Sequence, residues 1–427
     1  MTDMAAGDPA GSKWTMGMSR TAFAHFLFLN IGHFLDHYLM LIFATVAALV
    51  LTTEWGLTYA DLIHYATPGF VAFGLFSLPA GWIADRWTRE GMIGVFFIGI
   101  GLASFATGFA TTPLQIGLGL FVVGVLAAIY HPVGLALIAK DQPAMGLALA
   151  VNGVWGNLGV GIAALATGYL IDYAGWRAAF WVPGALSAAI GIAYFVMFHE
   201  RIWAGPPDDG ADQRAPQTAG PHVRPVGEPR FSAVAVRLTI IILLLTAIGS
   251  IIFQATTFAL PKVFEERIGE IASSATAIGW VAFCVFAIAS LAQVVVGLAL
   301  DRVGPRRVFL VLSVIQLSAF LVMPGSANWM AIAAALVFMV ATFGQIPICD
   351  YMIGRLAAPK RRAQIYGARF AVVFIVLAAT LPLVSWMHAN FGFDVMFYAL
   401  GVAAVMLLAT AALLPAKLPN PSELAKA

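Results

Sequence analysis

Gly81-Trp82-Ile83-Ala84-Asp85-Arg86 and Gly297-Leu298-Ala299-Leu300-Asp301-Arg302 both read Gly-x-x-x-Asp-Arg, and they stand 216 residues apart. Gly175-Trp176-Arg177 with Phe180, against Gly392-Phe393-Asp394 with Phe397, repeats the relation at an offset of 217. Two markers at nearly one spacing indicate that the 427-residue chain is a duplication of a unit about half its length. Internal duplication with a binding site between the repeats is a recurring transporter plan.

The sequence around these markers is apolar. Hydrophobic residues make up 61% of the chain and charged residues 10%, with a mean hydropathy of +0.89. A soluble domain carries about 25% charged residues to solvate its surface, so lipid must cover much of this one. A hydrocarbon core about 30 Å thick needs about 20 apolar residues of helix to cross it. Twelve segments meet that requirement: 21–51, 62–84, 91–110, 114–139, 144–171 and 176–198, then 236–260, 272–300, 308–324, 328–354, 364–387 and 393–415. They are continuous runs rather than short alternating ones, which argues for helices over a β-barrel. The fold expected is an all-α membrane protein of twelve transmembrane helices in two pseudo-symmetric six-helix bundles, at 21–198 and 236–415.

The segment 199–235 differs in composition, being rich in Pro, Gly and charge, and reads as a solvated linker. Residues 1–20 and 416–427 read as tails, with no cleavable signal peptide. With the amino terminus placed inside, 19 of the 23 Lys and Arg fall in inside segments. Arg177, Lys262 and Arg267 fall outside, and Arg369 lies within a span. That bias places both termini and the linker in the cytoplasm of a bacterial inner (plasma) membrane. Cys284 and Cys349, inside apolar runs, read as small core residues.

Over essentially its whole length the chain resembles the major facilitator superfamily, whose loop signature is Gly-x-x-x-Asp-Arg-x-Gly-Arg-Arg/Lys. The first copy continues Trp87-Thr88-Arg89, with Thr88 in place of the second glycine; the second continues Val303-Gly304-Pro305-Arg306-Arg307. The resemblance implies a cytoplasmic gating motif at Gly81, Asp85, Arg86 and Arg89, and at Gly297, Asp301, Arg302 and Arg306. In that motif Gly81 would permit a close helix contact, and Asp85 would reach a helix N-terminus or a cation of the other half as a latch. A topology-setting charge cluster is the alternative. Within the superfamily, His33-Phe34-Leu35-Asp36 resembles the His-Phe-x-x-Asp of fosmidomycin-resistance-like transporters, and Tyr130-His131-Pro132 their His-Pro in the fourth span. Export is implied by that likeness alone. Drug/proton antiporters often have an Arg four residues before a fourth-span Gly and a Gly-Pro in the fifth. Here Leu120 precedes Gly124, and the fifth span carries Gly156-Asn157-Leu158-Gly159.

Charge at membrane depth costs about 2.5–3.5 kcal/mol even on the lenient insertion scale, so ionisable residues there are functional candidates. Asn30, His33, Asp36 and His37 fall within one helical arc of about 120°, and that face is expected to line a central cavity. His33 and Asp36, at i and i+3, are expected to touch, either loading and releasing a proton or holding the helix to its neighbours. Pro132 should kink the fourth span beside His131. Asp350 and Arg369 each lie about six residues from the same membrane face on helices joined by a short loop, and are expected to pair. The pair would serve as a buried clip, or Arg369 would bind an anionic substrate. On the fifth span Asn152, Gly156, Gly159 and Ala163 share a face that should admit a neighbouring helix across the pathway. Gln254, Gln345 and Tyr351 complete the cavity candidates.

No phosphate-binding Gly-x-x-x-x-Gly-Lys-Ser/Thr, no His-Glu-x-x-His and no Gly-x-Ser-x-Gly occurs, and no Cys/His set has recognised metal spacing. Neither an enzyme, a metal site nor a cofactor is expected. The net charge of +2 offers no field for nucleic acid. The function expected is secondary transport of a small organic solute, coupled to protons, by a monomer in lipid, with export favoured. Alternatives are an importer or facilitator of an anionic nutrient that uses Arg369, or a non-transporting sensor on the same fold.

Overall fold

The computed structural model describes residues 18–140, 145–205, 233–356 and 359–419, and all regular structure among them is helical. The first span, Arg20–Val46, is prolonged by a π-helical turn at Ala47–Leu51 and by Thr52–Trp55; a short helix, Tyr59–His64, precedes the second span at Thr67–Arg86. The third span is Arg89–Thr107, the fifth Met145–Ala174 and the sixth Ala178–Ile202. The seventh to tenth are Ala233–Arg267, Ala275–Val303, Pro305–Val322 and Asn328–Leu356. Helix ends follow local chemistry. Ser19, Thr58, Thr88, Thr112 and Ser274 each accept a backbone N–H of the helix they open, satisfying one of its orphan donors.

Among the described residues eleven helices are long and apolar enough to cross a membrane. The last is a 54-residue run, Pro359–Ala412, about 80 Å long if straight and therefore far too long for one crossing. Gly392 interrupts it with φ 72° and ψ −176°. The chain reverses there, separating an eleventh from a twelfth span. Gly175, its partner in the repeat, also has positive φ (80°) and stands just before the sixth span. Both markers therefore mark one event, a left-handed residue at a helix reversal, which glycine adopts without a Cβ clash. The fold is two six-helix bundles of twelve membrane-crossing helices.

The fourth span is broken as its proline requires. Helix Pro113–Ala127 stops at Ala128–Ile129, and a second helix, Tyr130–Lys140, carries on. Ala128 is four residues before Pro132, where the proline ring displaces the helical carbonyl.

Large apolar side chains face outward, among them Leu78, Trp329 and Ile375, at 80, 72 and 70% exposure. In water they would be a liability; in lipid they are the expected surface. Cys349 is buried, but Cys284 is exposed on that outer surface rather than in the core.

Close packing follows small residues, although not as expected on the fifth span. A Cβ at Gly159 would lie 2.2 Å from the Phe34 carbonyl oxygen, and one at Gly156 would lie 2.6 Å from His33 Nε2. The helix admitted by that face is the first span of the same half, not one across the pathway. The close approach between halves is further along, where a Cβ at Gly168 would meet Ala275 O at 2.3 Å and one at Gly279 would meet Ala164 O at 2.7 Å.

The halves are also hydrogen-bonded at the end away from the termini. Asp172 at the end of the fifth span accepts the Thr276 and Ala275 N–H groups, at 2.7 and 3.3 Å, at the start of the eighth. Ser385 of the eleventh span donates to Ala60 O at 2.7 Å and lies 3.2 Å from His64 Nδ1. Tyr59 packs edge-on against His388.

Candidate functional site

Asn30, His33 and Asp36 are buried along one face of the first span, with His37 half-buried beside them. That face turns toward the fourth and fifth spans. Asn152 Nδ2 donates to Asn30 Oδ1 at 3.0 Å and to the Tyr130 hydroxyl at 2.9 Å. Tyr130 donates in turn to Leu29 O at 2.7 Å. These bonds satisfy groups that lipid could not.

His33 and Asp36 do not pair as expected. The His33 ring stacks on Tyr130 with centroids 5.0 Å apart, and its Nδ1 lies 2.8 Å from the Asn152 carbonyl oxygen. Asp36 instead faces His131 Nε2 at 3.3 Å. The contact has ion-pair distance without hydrogen-bond alignment, leaving both carboxylate oxygens buried without a hydrogen-bond partner. The reason is geometric: the broken fourth span swings His131 against the first span, while Asn152 draws His33 to the fifth. His33, His37 and His131 form a triangle, with ring centroids 5.0, 5.2 and 5.6 Å apart. His25, also on the first span, lies apart from them, with Nε2 3.1 Å from the Tyr194 hydroxyl.

The second constellation forms in the other half. Arg369 Nη1 donates to Asp350 Oδ1 at 2.5 Å, and the Asp350 side chain remains 44% exposed. Phe370, next to Arg369, reaches the His131 ring at 6.4 Å; Phe374 reaches Phe73 at 5.1 Å, and Phe73 reaches His131 at 5.6 Å. Aromatic rings thus join the two polar groups across the interface between halves. Gln254 is buried, with its Nε2 lacking a partner. Gln345 donates to Gln316 Oε1 at 3.2 Å, and Gln316 to Thr342 at 2.8 Å, so Gln345 belongs to packing inside its own half. Tyr351 carries the Arg355 guanidinium over its ring at 5.3 Å.

The loop motif is not latched across the interface among the described residues. Asp85 is bonded to Arg89 at 3.1 Å and its side chain is 61% exposed. Arg86 covers the Trp82 ring at 3.9 Å. The close contact expected at Gly81 is absent, since a Cβ there would meet Pro132 Cβ at an ordinary 3.6 Å; at Gly297 it would meet nothing within 4 Å. Arg302 and Arg306 are at the surface or half-buried, and the Asp301 side chain lies outside the described residues. Thr88, in the glycine position of the motif, accepts from Gly91 N at 2.9 Å and donates to Ile202 O at 3.0 Å, capping the third span and tying it to the end of the sixth. Gly304, its counterpart, has φ 84° instead.

Sequence reasoning missed Tyr130 and the histidine triangle. Tyr130 is adjacent to a singled-out histidine inside an apolar helix. His33-x-x-x-His37 is an i, i+4 spacing that puts two imidazoles on one face.

A family model described as Major Facilitator Superfamily matches residues 29–270 and 242–427. The probable 4-methylmuconolactone transporter of Cupriavidus pinatubonensis is 24% identical over 400 residues, covering 88% of each chain. The puromycin resistance protein of Streptomyces alboniger is 36% identical over 126 residues, covering 28% of this chain and only 25% of that protein. Among solved structures, a POT family transporter in complex with 5-aminolevulinic acid superposes with a TM-score of 0.70 at 12% identity, covering 92% of this chain and 95% of that one.

Proposed function

The chain belongs to the Major Facilitator Superfamily, and from that premise we propose that it carries a small organic solute across the membrane by alternating access, driven by a proton gradient. The observation that carries this reading is the ring contact of His131 with Phe370. It brings the Asn30, His33, Asp36, His37, His131 and Asn152 group of one half to the Asp350–Arg369 pair of the other, at the boundary along which the halves would rock. Polar groups at that depth are costly unless function requires them. Fastened far ends, and an Asp85 whose described partner Arg89 belongs to its own half, support an arrangement that opens toward the termini. The bias of Lys and Arg supports a cytoplasmic placement of that side.

The solute class we assign is an organic acid. Arg369 offers a fork that matches a carboxylate, and it sits beside Phe370 and within two ring contacts of Phe73. The relative aligned over 88% of its length, named for a muconolactone, supports that assignment. The puromycin resistance relative supports a second reading, export of a drug-like amine, in which the carboxylates Asp36 and Asp350 rather than Arg369 would face the solute.

Purified protein in liposomes, given labelled organic acids or puromycin under an imposed pH gradient, tests both. Acid accumulation that collapses with a protonophore is the expected result. Puromycin flux alone would favour the second reading, and absence of any flux from folded protein would favour a sensor. Reporter fusions at the two termini check the orientation.

A further inference from the structure

We propose that His33, His37 and His131, with Asp36, form a binding site for a late first-row divalent transition-metal ion such as Zn²⁺. The inference deepens the transport reading and rests on it for one point, that water and ions reach this depth. One ligand nitrogen from each of the three histidines lies within 4.8 Å of the other two. A tetrahedral ion with metal–nitrogen bonds of about 2.0–2.1 Å sets its donors about 3.4 Å apart. Closing that gap takes a shift of little more than 1 Å per ring, which side-chain rotation supplies.

Two further features point to an ion rather than to packing. Asp36 is fully buried, its two carboxylate oxygens have no hydrogen-bond partner, and it stands 3.3 Å from His131 Nε2. It is the carboxylate partner that a metal-bound histidine commonly has, placed here against His131, and it sets a negative charge beside the ion. The 2.8 Å contact of His33 Nδ1 with the Asn152 carbonyl oxygen is the orientation a metal-bound histidine takes: Nδ1–H donates to a carbonyl and the Nε2 lone pair is left for the ion. The donor set of three imidazoles, with a carboxylate behind one of them, suits zinc, nickel, cobalt or copper and does not suit calcium or magnesium, which take oxygen ligands. Two donors come from the first span and one from the fourth, so a bound ion would tie the broken fourth span to the first at the edge of the pathway.

The test uses the full chain, purified in detergent with an affinity tag free of histidine, and Co²⁺ as the probe. Visible d–d bands saturating at one Co²⁺ per chain and displaced by Zn²⁺ are expected, with binding weakened at least tenfold in His37→Asn and unchanged in His388→Asn. Zn²⁺ should raise the unfolding temperature of the wild type and not that of His37→Asn, a readout that stands even if His131→Gln fails to fold. Absence of saturable Co²⁺ binding in protein that still moves solute would overturn the site and leave the transport reading standing. Equal Co²⁺ binding in His37→Asn would overturn it as well. Co²⁺ binding without solute flux in liposomes would support the site and count against the transport reading instead.

Discussion

The two halves share a frame and differ at the centre. At the far end of the amino-terminal half, Arg177 meets Glu54 at 3.5 Å and Trp176 donates to the same carboxylate at 2.7 Å. At the corresponding place in the other half, Asp394 is bonded to Arg267 and accepts Gly325 N at 3.1 Å. The staple is the same, from the start of the last span to the end of the first, with its charges exchanged. Gly175 and Gly392 turn the chain in the same left-handed way. Among the described residues the centres differ: one half holds histidines, asparagines and a buried carboxylate, the other the Asp350–Arg369 ion pair and a glutamine–threonine ladder. A duplicated scaffold tolerates exchange of charge where only attachment matters.

The strongest way to break this contrast is Asp36→Asn. If the centre of the amino-terminal half carries transport, gradient-driven uptake should fall to background while folding, read by gel filtration, is kept; full uptake would reduce the cluster to packing. Arg369→Ala should come next. It removes the ion pair with Asp350, and unfolding in detergent should show a loss of about 2 kcal/mol, below the ~3–5 of a fully buried pair because the Asp350 side chain is 44% exposed. Exchanging both charges, Arg369→Asp with Asp350→Arg, should restore stability, and should restore uptake only if Arg369 is a clip rather than the solute's partner.

Gly159→Ala sharpens the packing side. Its Cβ would sit 2.2 Å from a carbonyl oxygen, and overpacking of this kind costs about 1–3 kcal/mol. Gly297→Ala meets nothing and should stay within about 0.5 kcal/mol. The staples are the smallest effect. Glu54→Gln and Asp394→Asn should each lower stability by no more than about 1 kcal/mol.

Most of the frame was legible because membrane-crossing leaves strong one-dimensional traces: long apolar runs, charge bias, and a repeat with glycine at the reversals. The Asp350–Arg369 pair was legible too, since depth along two helices joined by a short loop can be counted. What sequence left open was azimuth. Asn30, His33, Asp36 and His37 share an arc on any helix, but which neighbour that arc meets depends on how the fourth span breaks and where it then points. For the same reason His33 was assigned to Asp36 rather than to Asn152. The fifth-span glycines were likewise legible as a contact face, and the identity of the helix they admit was not.

The reversal at Gly392 has a mechanical consequence. One residue is all that departs from helix between the eleventh and twelfth crossings, so the hairpin has no slack to absorb a hinge. Any change of angle between the twelfth helix and the eleventh, which bears Arg369, has to be taken up in the φ and ψ of that one glycine.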